Sequence, residues 1–223
     1  MRMAGDRGGG WYPLMLSADL EPGTVAGCIL RGRELAVWRD GAGQAHVWDD
    51  RCPHRGMRLS LGFVREGTLA CLYHGWRFGA GGRCVHIPAH PDLTPAATIR
   101  AAPLRAVERH GLVWTAPEDG ESSAPQDDPA MDAVEWTPVR SLRIDAPWGN
   151  VATAIGMPDG CRVAVLDRDV AGPVLAAILP VDGTRCMLHL LAGGPADRGG
   201  DRGRLHDLAD WAQDVCRRME ETA

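Results

Sequence analysis

Two short stretches of this 223-residue chain each pair one cysteine with one histidine: Cys52 and His54 in "CPHRGM", Cys71 and His74 in "CLYHGW". Sixteen residues lie between His54 and Cys71. Two thiolates and two imidazoles are soft or borderline donors, suited to zinc or to an iron–sulfur cluster. Zinc fingers usually take cysteine with cysteine at short spacing, then histidine with histidine. Here each stretch supplies one of each. A [2Fe–2S] unit with two cysteines on one iron and two histidines on the other needs that mixture. Two parallel loops, each giving one ligand to each iron, provide it without twisting either loop. Gly56, Gly62 and Gly75 suit tight loops that bring backbone N–H groups towards the sulfurs.

The stretch "RCPHRGMRLSLGFVREGTLACLYHGWRFGAGGRCVHIP" closely resembles the Rieske domain of Rieske non-heme iron oxygenases, with "CPHRG" and "YHGW" intact. The opening "WYPLMLSADLEPG" and the "AVWRD" before the first loop are also similar to that family. The resemblance covers residues 11–117. It implies that Cys52 and Cys71 hold one iron and His54 and His74 the other. It also implies that Arg55, Gly56, Tyr73, Gly75 and Trp76 surround the cluster. Rieske proteins of respiratory complexes carry a further cysteine in each loop, joined as a disulfide. Met57 and Tyr73 stand there, so no bridge is expected and the potential should lie near the low end for such centres, on the order of −150 mV.

The same resemblance implies a second iron, held by two histidines and a carboxylate in a C-terminal catalytic domain. The family motif there runs Asn-x-x-Asp-x-x-His-x4-His. The matching stretch, "WGNVATAIGMPDGC", puts Asn150 on the motif's Asn, Thr153 at its Asp, Gly156 at the first His and Cys161 at the second. Beyond the linker only His189 and His206 remain as histidines. With Asp210, one helical turn from His206, they are the candidates for an improvised site. Mononuclear iron is therefore expected to be absent.

The elements that must position these residues read as α+β. The first half is mainly antiparallel strands, with a hairpin turn at Asp40–Gly43, another at Gly79–Gly82, and a last strand in "HGLVWTA". "PEDGESSAPQDDPA" reads as linker. The second half offers strand runs in "VEWTPVRSLRIDA", "CRVAVLD", "GPVLAAILPVD" and "TRCMLHLLAG", then a glycine-rich loop. Leu205, Leu208, Ala209, Ala212, Val215, Cys216 and Met219 form one apolar stripe on a terminal helix. The expected division is a lead-in at 1–10, the Rieske domain at 11–117, a linker at 118–131, and a truncated, helix-grip-like domain at 132–223. Cys28, Cys84, Cys186 and Cys216 fit apolar faces. His46, His86, His90 and His110 sit in or beside strands, and Trp11, Trp38, Trp48 and Trp114 read as core.

Composition narrows the class. Hydrophobic residues are 45%, charged residues 24%, and the net charge is −5, which argues against nucleic-acid or anionic-membrane partners. All 24 basic residues are arginine, as expected of a GC-rich bacterial source. Without an apolar leader or span, a cytoplasmic protein is expected. The expected role is an oxidoreductase component that passes single electrons from a reductase or ferredoxin to an oxygenase subunit, in a homo- or hetero-oligomer. The alternatives are a small oxygenase with a rearranged site and a cluster-bearing binding or redox-sensing module.

Overall fold

The computed structural model describes residues 10–116, 125, 129–168, 172–194 and 201–221. The lead-in up to residue 9, most of the expected linker and residues 195–200 of the glycine-rich loop lie outside them. In chain order the first strands are β1 (Tyr12–Leu16), β2 (Val25–Leu30), β3 (Arg33–Arg39), β4 (Ala45–Asp49) and β5 (Phe63–Arg65). Next come β6 (Thr68–Ala70), β7 (Arg77–Phe78), β8 (Cys84–His86), β9 (Pro103–Arg109) and β10 (Leu112–Ala116). The second half has α1 (Pro129–Asp132), β11 (Trp136–Ile144), α2 (Trp148–Ala154), β12 (Val163–Arg168), β13 (Gly172–Pro180), β14 (Cys186–Gly193) and α3 (Asp201–Glu221). The strands pair antiparallel, so the fold is α+β as the sequence suggested. No helix among the described residues is long and apolar enough to cross a membrane.

One compact unit is Asp19–Ala106. In it β2, β3, β4 and the start of β9 make one sheet, and β5, β6, β7 and β8 make a second. Arg31-Gly32 closes the β2–β3 hairpin and Glu66-Gly67 the β5–β6 hairpin, both residues of each pair having positive φ. Paired positive φ values match the right-handed twist of the flanking strands, and glycine accepts them without strain. The β3–β4 turn is pinned by Asp40, whose carboxylate accepts from the backbone of Ala42 and Gln44. Trp38, Trp48, Leu59, Leu69 and Phe78 fill the core, and Cys52 and Cys71 belong to the same buried cluster.

The other unit gathers the chain up to Ala18 and from Val107 onwards. Its sheet runs β11-β14-β13-β12. Along β14, Cys186, Leu188, Leu190 and Ala192 pack on one face with Leu208, Ala212, Val215 and Cys216 of α3. Those helix positions lie on the predicted stripe. Leu175, Ala177 and Leu191 point to the opposite face, where Trp11 just before β1, Leu16 of β1, and Leu112 and Trp114 of the paired β10 cover them. With both faces covered, β13 reads as an almost unbroken apolar run rather than an alternating one.

The compact units divide after Ala18 and after Ala106, and the apolar sides of β1 and β10 are completed by the second-half sheet.

Candidate metal centre

The loop after β4 and the loop between β6 and β7 have the same backbone closure. In the first, the Cys52 N–H donates to the Met57 carbonyl at 2.8 Å and the Gly56 N–H to the Cys52 carbonyl at 2.8 Å. In the second, Cys71 donates to Trp76 and Gly75 to Cys71, each at 2.9 Å. Gly56 and Gly75 occupy the fifth position of their six-residue loops with φ of 73° and 68°, a conformation strained for other L-residues. A Cβ on Gly75 would also stand 3.0 Å from Pro88. Gly62 is required differently: its Cβ would fall 2.1 Å from the Ala70 carbonyl oxygen, just before Cys71.

The loops bury the thiols and present the imidazoles outward. Cys52 and Cys71 are each 2% exposed, whereas His54 is half-buried and His74 exposed. Burial, with the adjoining Cys71 sulfur, pushes the Cys52 thiol up to about 11; backbone N–H groups of His54 and Arg55 directed at the sulfur oppose that rise. His54 stacks on Trp76, with centroids 4.2 Å apart and planes 5° from parallel. The His54 and His74 rings meet edge to face at 4.8 Å, and Tyr73 lies against His74 at 3.8 Å. Partial burial, then the neighbouring His74 and Arg55 charges, hold the His54 imidazole below its ordinary value.

This donor set fits a [2Fe–2S] cluster. Two buried sulfur donors with N–H groups aimed at one of them suit an inner iron; two outward imidazoles suit an outer one. Among the described residues no three His, Cys, Asp or Glu converge on a single ion position.

Asp50 is a supporting residue that sequence reasoning missed. It is 6% exposed, and its carboxylate accepts from the Ser60 backbone at 2.7 Å and the Ser60 hydroxyl at 2.5 Å. It thereby ties the two ends of the Cys52 loop together. The only signal was an acid beside a ligand loop, which reads equally well as a solvated turn.

His189, His206 and Asp210 are not brought together. His189, 1% exposed, sits on the β14 face turned away from α3, with Nδ1 2.8 Å from the Ser141 hydroxyl. Burial pushes it down to about 4, the Leu14 backbone opposing. His206 and Asp210 face solvent on α3 and pair with each other at 3.5 Å. Asn150 and Thr153 are exposed on α2, Thr153 donating to its own helix at the Gly149 carbonyl. Gly156 follows that helix with φ of 80°, and Cys161 is a half-buried free thiol.

A family model described as the Rieske [2Fe–2S] domain matches residues 10–101. The chain is 38% identical over 150 residues to oxidoreductase NdmD of Pseudomonas putida, covering 65% of this chain and 25% of that protein. It is 36% identical over 179 residues to the oxygenase component of chloroacetanilide N-alkylformylase from Rhizorhabdus wittichii, covering 76% and 49%. The chain thus spans a quarter to a half of these curated relatives. Among solved structures, apo dicamba monooxygenase has the same fold, with a TM-score of 0.72 at 21% identity over 98% of this chain and 87% of that one.

Proposed function

The chain belongs to the Rieske non-heme iron oxygenases, whose [2Fe–2S] domain it shares, and from that premise we propose that it carries single electrons from a reductase or ferredoxin to a mononuclear-iron oxygenase subunit. When bound, the cluster supplies reversible one-electron chemistry. Cys52 and Cys71 hold it from the buried side and His54 and His74 from the exposed side. Trp76 fixes the plane of His54 and keeps water from one face of that ring. Asp50 holds the loop that carries two of the ligands. The setting proposed is the cytoplasm.

The observation behind this reading is a contrast between halves. The chain carries a complete ligand set for the cluster, but has Thr153, Gly156 and Cys161 at the sequence positions where the family motif has a carboxylate and two imidazoles. His189, His206 and Asp210 do not replace them, since one is buried and two are solvent-facing. A second reading, a small oxygenase, is favoured by the relative named as an oxygenase component, whose alignment runs well beyond the cluster domain.

Iron and labile sulfide, measured together after anaerobic reconstitution with ferrous iron, separate the two. The electron-carrying reading expects two irons and two sulfides per chain. A tight third iron with substrate-dependent oxygen uptake would replace it with the oxygenase reading.

A further inference from the structure

The second-half sheet ends in two unlike edges. At one end β11 is blunted: Pro138 has no N–H to offer, and the register slips between Pro138 and Arg140. The terminal helix also ties down that strand, since Arg140 donates to the Ala209 carbonyl and the Cys216 thiol to that of Arg143. At the other end β12, Val163–Arg168, has no proline, glycine or lysine and pairs with β13 in unbroken register. The Ile178 N–H donates to the Arg162 carbonyl at 2.7 Å, which fixes the alternation along the strand. Ala164 and Leu166 therefore bond to β13, while Val163, Val165 and Asp167 turn their N–H and C=O groups to the open side. No described strand pairs with them there. Ala164 and Leu166 pack on the α3 side and Val163 and Val165 on the other, so both faces are apolar up to this edge.

We propose that a second copy of this chain adds to the β12 edge, antiparallel across a two-fold axis, joining two four-stranded sheets into one. A row of open donors and acceptors at strand spacing is matched by another extended strand. Strand β12 fits itself. With the axis at Val165, that residue faces its counterpart and Val163 faces Asp167 of the second copy, so every outward backbone group of these residues finds a partner. On the α3 side Leu166 meets Ala164, large against small, and on the other side two β-branched valines meet at the axis. Arg162, which would lie opposite Arg168, turns its guanidinium inward over the Tyr12 ring at 4.2 Å. Two six-residue strands bury well under about 1,200 Å², so the pairing is a reversible one.

The test uses the cluster-loaded full chain, native and as Val165→Pro and Val165→Ala, in sedimentation velocity from about 1 to about 300 µM. The native mass should climb from that of one chain towards that of a pair. Proline at 165 removes an outward N–H that β13 does not use, so it spares the ladder while weakening association at least about tenfold. Alanine keeps that N–H and should dimerise within about threefold of the native chain. Where the proline variant loses its far-ultraviolet circular dichroism, site-resolved amide exchange of the native chain decides instead. Val163, Val165 and Asp167 should then exchange more slowly at high concentration, with Ala164 and Leu166 unchanged. A native chain monomeric throughout, a proline variant that associates like the native one, or outward amides indifferent to concentration overturns the proposal. So does protection of those amides by an added peptide of alternating valine and threonine while native chains stay monomeric, which assigns the edge to a foreign strand.

Discussion

His189 shows how a residue's surroundings turn a reactive side chain into a structural one. Its imidazole sits in an apolar layer, shares a hydrogen bond with Ser141, and is held down to about 4 by burial. The unfolded chain takes up this proton near pH 6.5, while the folded chain resists it until about pH 4. Unfolding is therefore increasingly favoured as pH falls through that window, by about 3 kcal/mol in total, and the contribution is constant above it. Urea midpoints of the native chain should fall between pH 6.5 and 4, and His189→Leu should flatten that part of the profile. A variant profile as steep as the native one would trace the dependence to another group. The same burial sets this imidazole apart from His206 and Asp210, which face solvent on α3.

At the scale of elements, the terminal helix was the most legible part of the chain. Leu208, Ala212, Val215 and Cys216 recur at helical spacing, and all are buried against the sheet. Leu208→Ala should cost about 2–4 kcal/mol, since α3 and α2 leave little room for collapse around a residue 2% exposed. A thermal or urea shift near zero would mean that the helix is not held by that stripe. The four second-half strands and the turns at Asp40 and Gly79 were also readable, because their alternation and turn residues are local. Strand β9 was not: Pro103–Arg109 carries four charged or proline positions, and none of its residues is fully buried. The candidate cluster ligands were plain because cysteine and histidine spacing is written directly in the chain. The Asp50–Ser60 clamp was hidden because it joins residues ten apart through a side chain that ordinarily seeks water.

For the whole molecule, the division into units matters more than the motif boundary. Residues 10–101 match the cluster domain, but β1 and β10 bury Trp11, Leu16, Leu112 and Trp114 against Leu175, Ala177 and Leu191. A fragment ending at residue 117 would keep every cluster ligand and lose the cover over those four side chains. It should bind a hydrophobic dye strongly and aggregate at concentrations where the full chain stays monodisperse, because exposed contiguous apolar area drives association. A fragment as soluble and dye-silent as the intact chain would support 117 as the domain edge. The ligand loops themselves lie wholly within Asp19–Ala106.

The two loops are a single backbone part, manufactured twice. Each is closed by a main-chain bond from first residue to sixth and from fifth to first, with glycine fifth; only the histidine shifts, from third place to fourth. Scaffold and ligand identity are thus encoded separately: closure asks nothing of the side chains at the second, third and fourth places. Such a part can be rewritten one ligand at a time without redrawing the chain around it, which leaves room for centres of different donor composition to arise from one ancestral pair of turns.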